Sequence, residues 1–110
     1  MIITSGSHEF EVVEKMPKDY VIWNIGDNMV DGYLPICLCD GFNVIVSSLK
    51  AIKIDDAEEL KLLRECAGYG VENLKACNRA IKLREPKGYI ARRKCELAKE
   101  AISIFEKIAE

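Results

Sequence analysis

Apolar and polar residues alternate over short stretches in the first half of the chain. Between His8 and Glu14, the side chains of His8, Phe10 and Val12 share one side while the intervening glutamates fall on the other. That period of two predicts a half-buried strand. Further short apolar runs, separated by turn residues such as Met16-Pro17-Lys18-Asp19 and Asp40-Gly41, predict four more strands over 20–25, 33–39, 44–46 and 51–54.

The pattern changes near Ile54, after which apolar residues recur at helical spacing. Asp55 with Glu58 three positions later is typical of a helix start, and Gly68 is typical of a helix end. A second helix is predicted over 71–84, because Pro86 prevents it from continuing. A third is predicted over 89–109, with a broad apolar stripe made of Ile90, Leu97, Ala101, Ile104, Phe105 and Ile108.

These elements predict an α+β protein. Residues 1–54 would form a small antiparallel β-sheet or SH3-like barrel, and residues 55–110 a three-helix segment packed with it as one compact unit. The second and third helices would form an antiparallel hairpin, which the first helix would seat against the sheet. A barrel of this kind hosts many unrelated functions, so the architecture does not identify one.

Charge is distributed unevenly along this chain. Residues 1–70 carry six Lys/Arg and twelve Asp/Glu, whereas residues 71–99 carry nine Lys/Arg and three Glu. The formal net charge of −2 therefore hides a strongly dipolar molecule. Asymmetry of this kind indicates a charged partner, either an anionic polymer or another copy of the chain.

A basic stripe is the best candidate binding surface in the sequence. On a helical projection Lys75, Arg79 and Lys82 lie within about 60° of one another, opposite the apolar residues of the second predicted helix. Cations also crowd the positive N-terminal end of the third helix, where acids are usually found. The predicted nucleic-acid or anion-binding residues are Lys75, Arg79, Lys82, Lys87, Arg92 and Arg93.

Two interpretations of the stripe remain open. It would follow a phosphate backbone without reading bases, since the patch lacks interleaved aromatic residues and recognition motifs. Alternatively, the acidic run Asp55, Asp56, Glu58 and Glu59 would neutralise the stripe, within one molecule or between copies. The second interpretation predicts a protein-interaction or self-assembly module with an acidic protein surface as partner and a possible homo-oligomer.

The sequence offers little for catalysis or for metal binding. Cys37 and Cys39 are the only closely spaced pair among five cysteines, and His8 is the only histidine, whereas a zinc site usually needs four ligands. A β-strand would place both thiols on one face, where they could equally be two small buried side chains. Phosphate loops, dinucleotide fingerprints and serine elbows are not present in the sequence. We therefore expect no enzyme, no metal and no cofactor; a thiol enzyme or a metal protein is a remote third alternative.

Aromatic residues and apolar runs restrict the remaining possibilities. Trp23 could line a peptide groove if the β half were SH3-like, but Trp23 and Phe10 more simply fill the core of a small sheet. No apolar run approaches the roughly 20 residues that cross a bilayer, and the N-terminus lacks the features of a signal peptide. The expectation is a cytoplasmic, non-enzymatic binding protein that does not associate with membranes.

Overall fold

The computed structural model of the chain describes residues 1–23, 31–41, 43–70, 72–76 and 89–109; within 89–98, Leu97 is the one residue whose side chain is described. The described chain is mixed α+β, as the sequence predicts. Its strands are β1 (Ile2–Ser5), β2 (His8–Val12), β3 (Val21–Ile22), β4 (Tyr33–Cys37), β5 (Cys39–Asp40), β6 (Asn43–Val44) and β7 (Lys50–Lys53). Its helices are α1 (Ala57–Glu65), α2 (residues 72–76) and α3 (Tyr89–Ile108).

Five strands form one sheet in the order β1-β2-β7-β4-β3. Most neighbours are antiparallel, but β2 runs parallel to β7, with Glu11 opposite Lys50 and Val12 opposite Ala51. The purely antiparallel sheet of the prediction is therefore wrong at this pair. Within the described residues the sheet is open, with β1 and β3 at its edges, so an SH3-like barrel is not confirmed.

The sequence interpretation missed the first strand and misplaced two others. β1 pairs with β2 through the two-residue turn Gly6-Ser7, where Gly6 has φ 61°, a conformation that other residues rarely adopt. The predicted strand over 33–39 divides into β4 and β5 at Leu38. β6 ends at Val44, and Val46–Ser48 forms a 3₁₀ turn that returns the chain to β7.

Pro35 explains why β3 is short. The backbone N–H of Trp23 donates to the carbonyl of Pro35 at 2.9 Å, so this edge of Pro35 faces β3. A regular antiparallel ladder would return a bond from the nitrogen of residue 35, which proline cannot donate. The pairing of β3 with β4 therefore ends at the partners of Val21 and Ile22.

Two of the predicted helices lie close to their expected bounds. α1 begins one residue later than predicted, because the Asp56 carboxylate rather than that of Asp55 accepts the N–H groups of Glu58 and Glu59. α3 begins at the predicted Tyr89 and ends at Ile108. Helical residues 72–76 fall inside the predicted second helix, and the rest of that helix and the hairpin turn over 85–88 lie outside the described residues.

One core cluster joins the sheet to the helices. Ile22, Leu34, Ile36 and Ile52 supply it from the sheet, and the helical members include Leu60, Leu63, Leu74, Ala101, Ile104 and Phe105. None of these helices would be stable alone in water, so this burial is what maintains them. No helix among the described residues is both long and apolar enough to cross a membrane.

The C-terminal end of α3 is fixed by the segment that follows β2. The backbone N–H of Met16 donates to the carbonyl of Ile108, and Lys15 Nζ donates to the carbonyl of Lys107 at 2.9 Å. These bonds satisfy carbonyls that a helix end leaves without an internal partner. The last turn of α3 is thereby held against the sheet side of the molecule.

Candidate functional site

The structure describes only part of the predicted basic stripe. Lys75 is exposed, and its Nζ lies 3.8 Å from the Glu72 carboxylate one helical turn earlier. Arg79, Lys82 and Lys87 lie outside the described residues. Arg92 and Arg93 lie in the first turns of α3, but their side chains are not among those described. The predicted anion-binding surface therefore stays a prediction.

Two acidic residues lie close to Lys75. Lys75 lines a cavity of about 670 Å³ that is bounded by the turn after β2, by Gly70 and by residues 72–75, and Asp19 and Glu72 line the same cavity. Asp19 is held there with φ 69°, in the left-handed region. Lys18 lines the cavity as well, so two ammonium groups and two carboxylates leave this described part of the surface without a net positive charge.

A groove between α1 and α3 is the most distinctive surface of the described residues. It measures about 490 Å³, and its apolar lining consists of Leu62 from α1 together with Leu97 and Ile104 from α3. Leu60 and Leu63 point into the core from the neighbouring positions of α1, so helical spacing leaves Leu62 half-buried beside the gap. The half-buried Leu62 and Leu97 thus form a small apolar strip between the two helices, and Ile104 beside them is buried.

Carboxylates surround that strip. Glu58, Glu59 and Glu65 from α1 and Glu100 from α3 line the groove, and Lys61 is the one cation among its described lining residues. Glu59 is engaged already, because Lys107 Nζ lies 2.9 Å from its carboxylate and links α1 to α3. Glu58, Glu65 and Glu100 are exposed and form no ion pair with another described residue.

The helix dipole explains the positions of some of these glutamates but not of all of them. Glu58 and Glu59 occupy the first turn of α1, where a negative charge is favourable near the N-terminal end of the helix dipole. Glu65 is the last residue of α1, where the same dipole disfavours a carboxylate. The dipole therefore does not explain Glu65, which is exposed beside the groove.

The sequence indicates only part of this site. It identified the acidic run from Asp55 to Glu59, but it did not connect that run to Glu65 or to Glu100, which is 35 positions further along the chain. The available signal was helical spacing: Leu97, Glu100 and Ile104 fall at i, i+3 and i+7, on one side of α3. Which side of α3 meets α1 is a tertiary fact that spacing does not contain.

The two strand cysteines occupy different environments. Cys37 is fully buried among Phe10, Leu49 and Ala51, whereas Cys39 is exposed, so the interpretation of both as buried side chains is wrong for Cys39. Their sulfur atoms lie 4.0 Å apart. Burial and, to a smaller extent, the neighbouring Cys39 raise the pKa of Cys37 to about 12, so Cys37 is a protonated thiol at neutral pH.

The aromatic residues of the β half pack together. Phe10 is buried, and the Trp23 ring lies against it with ring centroids 5.9 Å apart. His8 contacts Trp23 edge to face, with ring centroids 5.2 Å apart. Trp23 thus has the role that the sequence favours for it, because it is partly buried against a second core cluster made of Phe10, Cys37, Leu49 and Ala51. The described residues contain no group of three or more potential metal ligands.

Comparisons of this chain with protein-family models, with curated proteins and with solved structures find no match.

Proposed function

We propose that this protein is a non-enzymatic interaction module whose groove between α1 and α3 receives a basic segment. The observation that carries the proposal is the groove itself: the half-buried Leu62 and Leu97 form its apolar strip, and the exposed carboxylates of Glu58, Glu65 and Glu100 surround it. A partner that is both apolar and cationic would satisfy this lining. The placement of Glu65, which opposes the dipole of its own helix, supports the same role.

The glutamates and the apolar strip of the groove would contribute to binding in different ways. Exposed ion pairs contribute only about 0.2–1 kcal/mol each, so the glutamates would orient and attract the partner rather than hold it. Burial of the apolar strip would supply the larger part of the binding free energy, at about 25 cal/mol for each Å² of apolar surface removed from water. Binding should therefore weaken with salt but not vanish as soon as the charges are screened.

A second copy of the chain is the occupant that the charges favour. Residues 71–99 carry nine Lys/Arg against three Glu, and apolar residues interleave with those cations. This segment has the composition that the groove would accept. Contact between the acidic groove of one copy and the basic segment of another would use both halves of the dipolar chain.

Light-scattering mass at low and high salt tests the self-association. We expect a mass above that of the 12.4 kDa monomer at low salt, which decreases towards the monomer as salt is added. Glu65→Lys/Glu100→Lys should be monomeric under both conditions. As a control, Glu9→Lys/Glu14→Lys makes the same change in net charge at exposed positions outside the groove and should associate like the wild type.

Charge exchange makes the test specific to this contact. Lys75→Glu/Arg79→Glu should also be monomeric alone, but mixing it with Glu65→Lys/Glu100→Lys should restore one wild-type contact, because each variant keeps the surface that the other has lost. The mixture should therefore form a one-to-one complex through the unaltered groove and the unaltered basic segment. A wild type that is monomeric at low salt would contradict the proposal, as would a groove variant that associates normally.

A second candidate function is binding of a nucleic-acid backbone. Its support is the excess of cations over residues 71–99 and the exposure of Lys75. The acids beside Lys75 weigh against it in the described part of that surface. For this reason we place it after the interaction module.

A short mixed-sequence duplex tests the second candidate. If it is right, the logarithm of the association constant should fall linearly with the logarithm of salt concentration, by about 0.9 for each phosphate neutralised. Lys75→Glu/Arg79→Glu should abolish this binding, whereas Lys53→Glu/Lys61→Glu, with the same charge change at exposed positions outside the cavity that Lys75 lines, should keep it. Equal losses in both variants would indicate only a net-charge effect and would contradict a specific basic surface.

A further inference from the structure

Two thiols contact each other where β4 passes into β5. Cys37 is the last residue of β4 and is fully buried, whereas Cys39 begins β5 and is exposed. Their sulfur atoms lie 4.0 Å apart, within hydrogen-bond distance for two thiols. The pair therefore joins a thiol that solvent reaches to one that solvent does not reach, and neither of them lines the groove between α1 and α3.

The backbone around Leu38 holds the two thiols together. The strand is interrupted at Leu38, whose N–H donates to Ser48 Oγ at 2.8 Å and whose carbonyl accepts the N–H of Ile45 at 2.9 Å. In a continuous strand, residues i and i+2 are about 6.6 Å apart, and their side chains point to the same face. The interruption thus accompanies sulfur atoms that are closer than the spacing of a regular strand.

The difference in exposure decides which sulfur an oxidant meets first. A hydroperoxide reacts with a thiolate that is open to solvent, and in this pair that is the sulfur of Cys39. Cys37 is packed among Phe10, Leu49 and Ala51, and burial raises its pKa to about 12, so it stays protonated at neutral pH. The Cys37 sulfur is therefore shielded from the oxidant, yet it is in contact with the sulfur that the oxidant reaches.

We propose that Cys37 and Cys39 are a peroxide-responsive dithiol that closes to a disulfide within one chain. Cysteines that sense oxidants often have a second, resolving cysteine beside them, and Cys37 has that place relative to Cys39. Because the two sulfurs are held in contact, Cys37 reaches the oxidised Cys39 sooner than a thiol of another molecule does. Positioned groups of one molecule have effective concentrations that free reactants in solution do not attain.

Two steps convert the thiols to the disulfide. In the first, the Cys39 sulfur attacks the O–O bond of the hydroperoxide, the thiol proton passes to the leaving oxygen, and Cys39 becomes a sulfenic acid. In the second, the Cys37 sulfur attacks the sulfenic sulfur, and the hydroxyl group leaves as water with the proton that Cys37 loses. The two thiols give up two electrons, which reduce one hydroperoxide, so no further reactant is needed.

Closure requires the Cys39 sulfur to move. The sulfur atoms must approach from 4.0 Å to about 2.05 Å when the bond forms. Rotation of the Cys39 side chain between its rotamers supplies movement, because that side chain is exposed, whereas Cys37 is held by its buried neighbours. The new bond ties the start of β5 to the buried end of β4.

Peptide mapping after treatment with hydrogen peroxide tests the pair. Trypsin cleaves after Lys18 and Lys50 but nowhere between them, so one peptide holds Cys37, Cys39 and no other cysteine. The reduced protein is treated with peroxide, denatured in an excess of an alkylating reagent and digested. We expect this peptide to be lighter than its reduced form by two hydrogen atoms and to carry no alkyl group. Reduction before alkylation should restore both alkylation sites.

Substitution of each thiol tests its part in the sequence of steps. Cys39→Ser should fold, because Cys39 is exposed, and peroxide should leave its buried Cys37 fully open to alkylation after denaturation. Cys37→Ala should instead keep the sulfenic acid at Cys39, where dimedone traps it. In the wild type the dimedone adduct at Cys39 should form only at early times, which gives the same order of events without a substitution in the core.

Cys77→Ser is the matched control, because it also removes one thiol but leaves the pair intact. It should close the internal disulfide like the wild type, and loss of that bond in Cys77→Ser would overturn the proposal. Full alkylation of both residues in the peroxide-treated wild type would overturn it as well. So would a disulfide to another cysteine or another chain, or a sulfinic acid at Cys39 beside an alkylated Cys37, because Cys37 would then not be the resolving thiol.

Discussion

Replacing Phe105 with alanine should lower the free energy of unfolding by about 3–5 kcal/mol. Phe105 lies in α3 and is completely buried in the cluster that joins α1 and α3 to the sheet. Truncation removes the ring from that cluster and leaves a cavity. Because the total stability of a small domain is about 5–15 kcal/mol, this single change should bring the protein close to unfolding.

Denaturant unfolding followed by the fluorescence of Trp23, the only tryptophan, measures this change. Glu106→Ala is the matched control, since Glu106 is the exposed next residue of the same helix and its loss should change stability by less than about 0.5 kcal/mol. A loss below about 1 kcal/mol in Phe105→Ala would mean that α3 does not contribute to the core as described.

The bounds of α1 and α3 could be predicted well because their signals are local. The apolar stripe, with Pro86 and Gly88 before Tyr89, predicts α3 over 89–109, and the helix spans Tyr89–Ile108. The start of α1 was displaced by one residue because Asp55 and Asp56 are both good capping residues. Only the geometry of the turn decides which carboxylate reaches the free N–H groups.

The sheet could be predicted only in part because its pairing is not local. Alternation identified β2, but it could not show that β2 lies parallel to β7, nearly 40 residues away. β1 was missed because Ile2 and Ile3 are adjacent apolar residues and do not alternate. The turn at Gly6-Ser7 was the signal that could have indicated a hairpin there.

The candidate sites show the same limit. The spacing of Cys37 and Cys39 identified a pair, but the different exposure of the two thiols depends on the interruption at Leu38 and on Ser48, ten residues away. The groove depends on which faces of α1 and α3 meet. Charge asymmetry predicted that a partner exists, whereas the apolar strip between the glutamates is visible only in the folded chain.

Gly70→Ala should destabilise the protein by about 2–3 kcal/mol, although Gly70 lies outside the left-handed region of backbone conformation. A Cβ at Gly70 would lie 2.5 Å from the carbonyl oxygen of Tyr20, closer than real Cβ contacts. That oxygen is backbone and cannot turn aside. The Tyr20 segment is also held in place, because Ile22 exchanges hydrogen bonds with Tyr69 and Gly68 at 2.9 and 2.7 Å.

Gly41→Ala separates the effect of a steric clash at Cβ from the effect of a left-handed backbone conformation. Gly41 has φ 62° in the turn between β5 and β6, and a Cβ there would meet no atom within 4 Å. Gly41→Ala should therefore lower the free energy of unfolding only by the strain of a left-handed alanine, about 1–2 kcal/mol. In denaturant unfolding we expect Gly70→Ala to be the less stable of the two. The reverse order would contradict the close approach of residues 68–70 to β3, and with it the position of Lys75 and Glu72 on the adjoining helix.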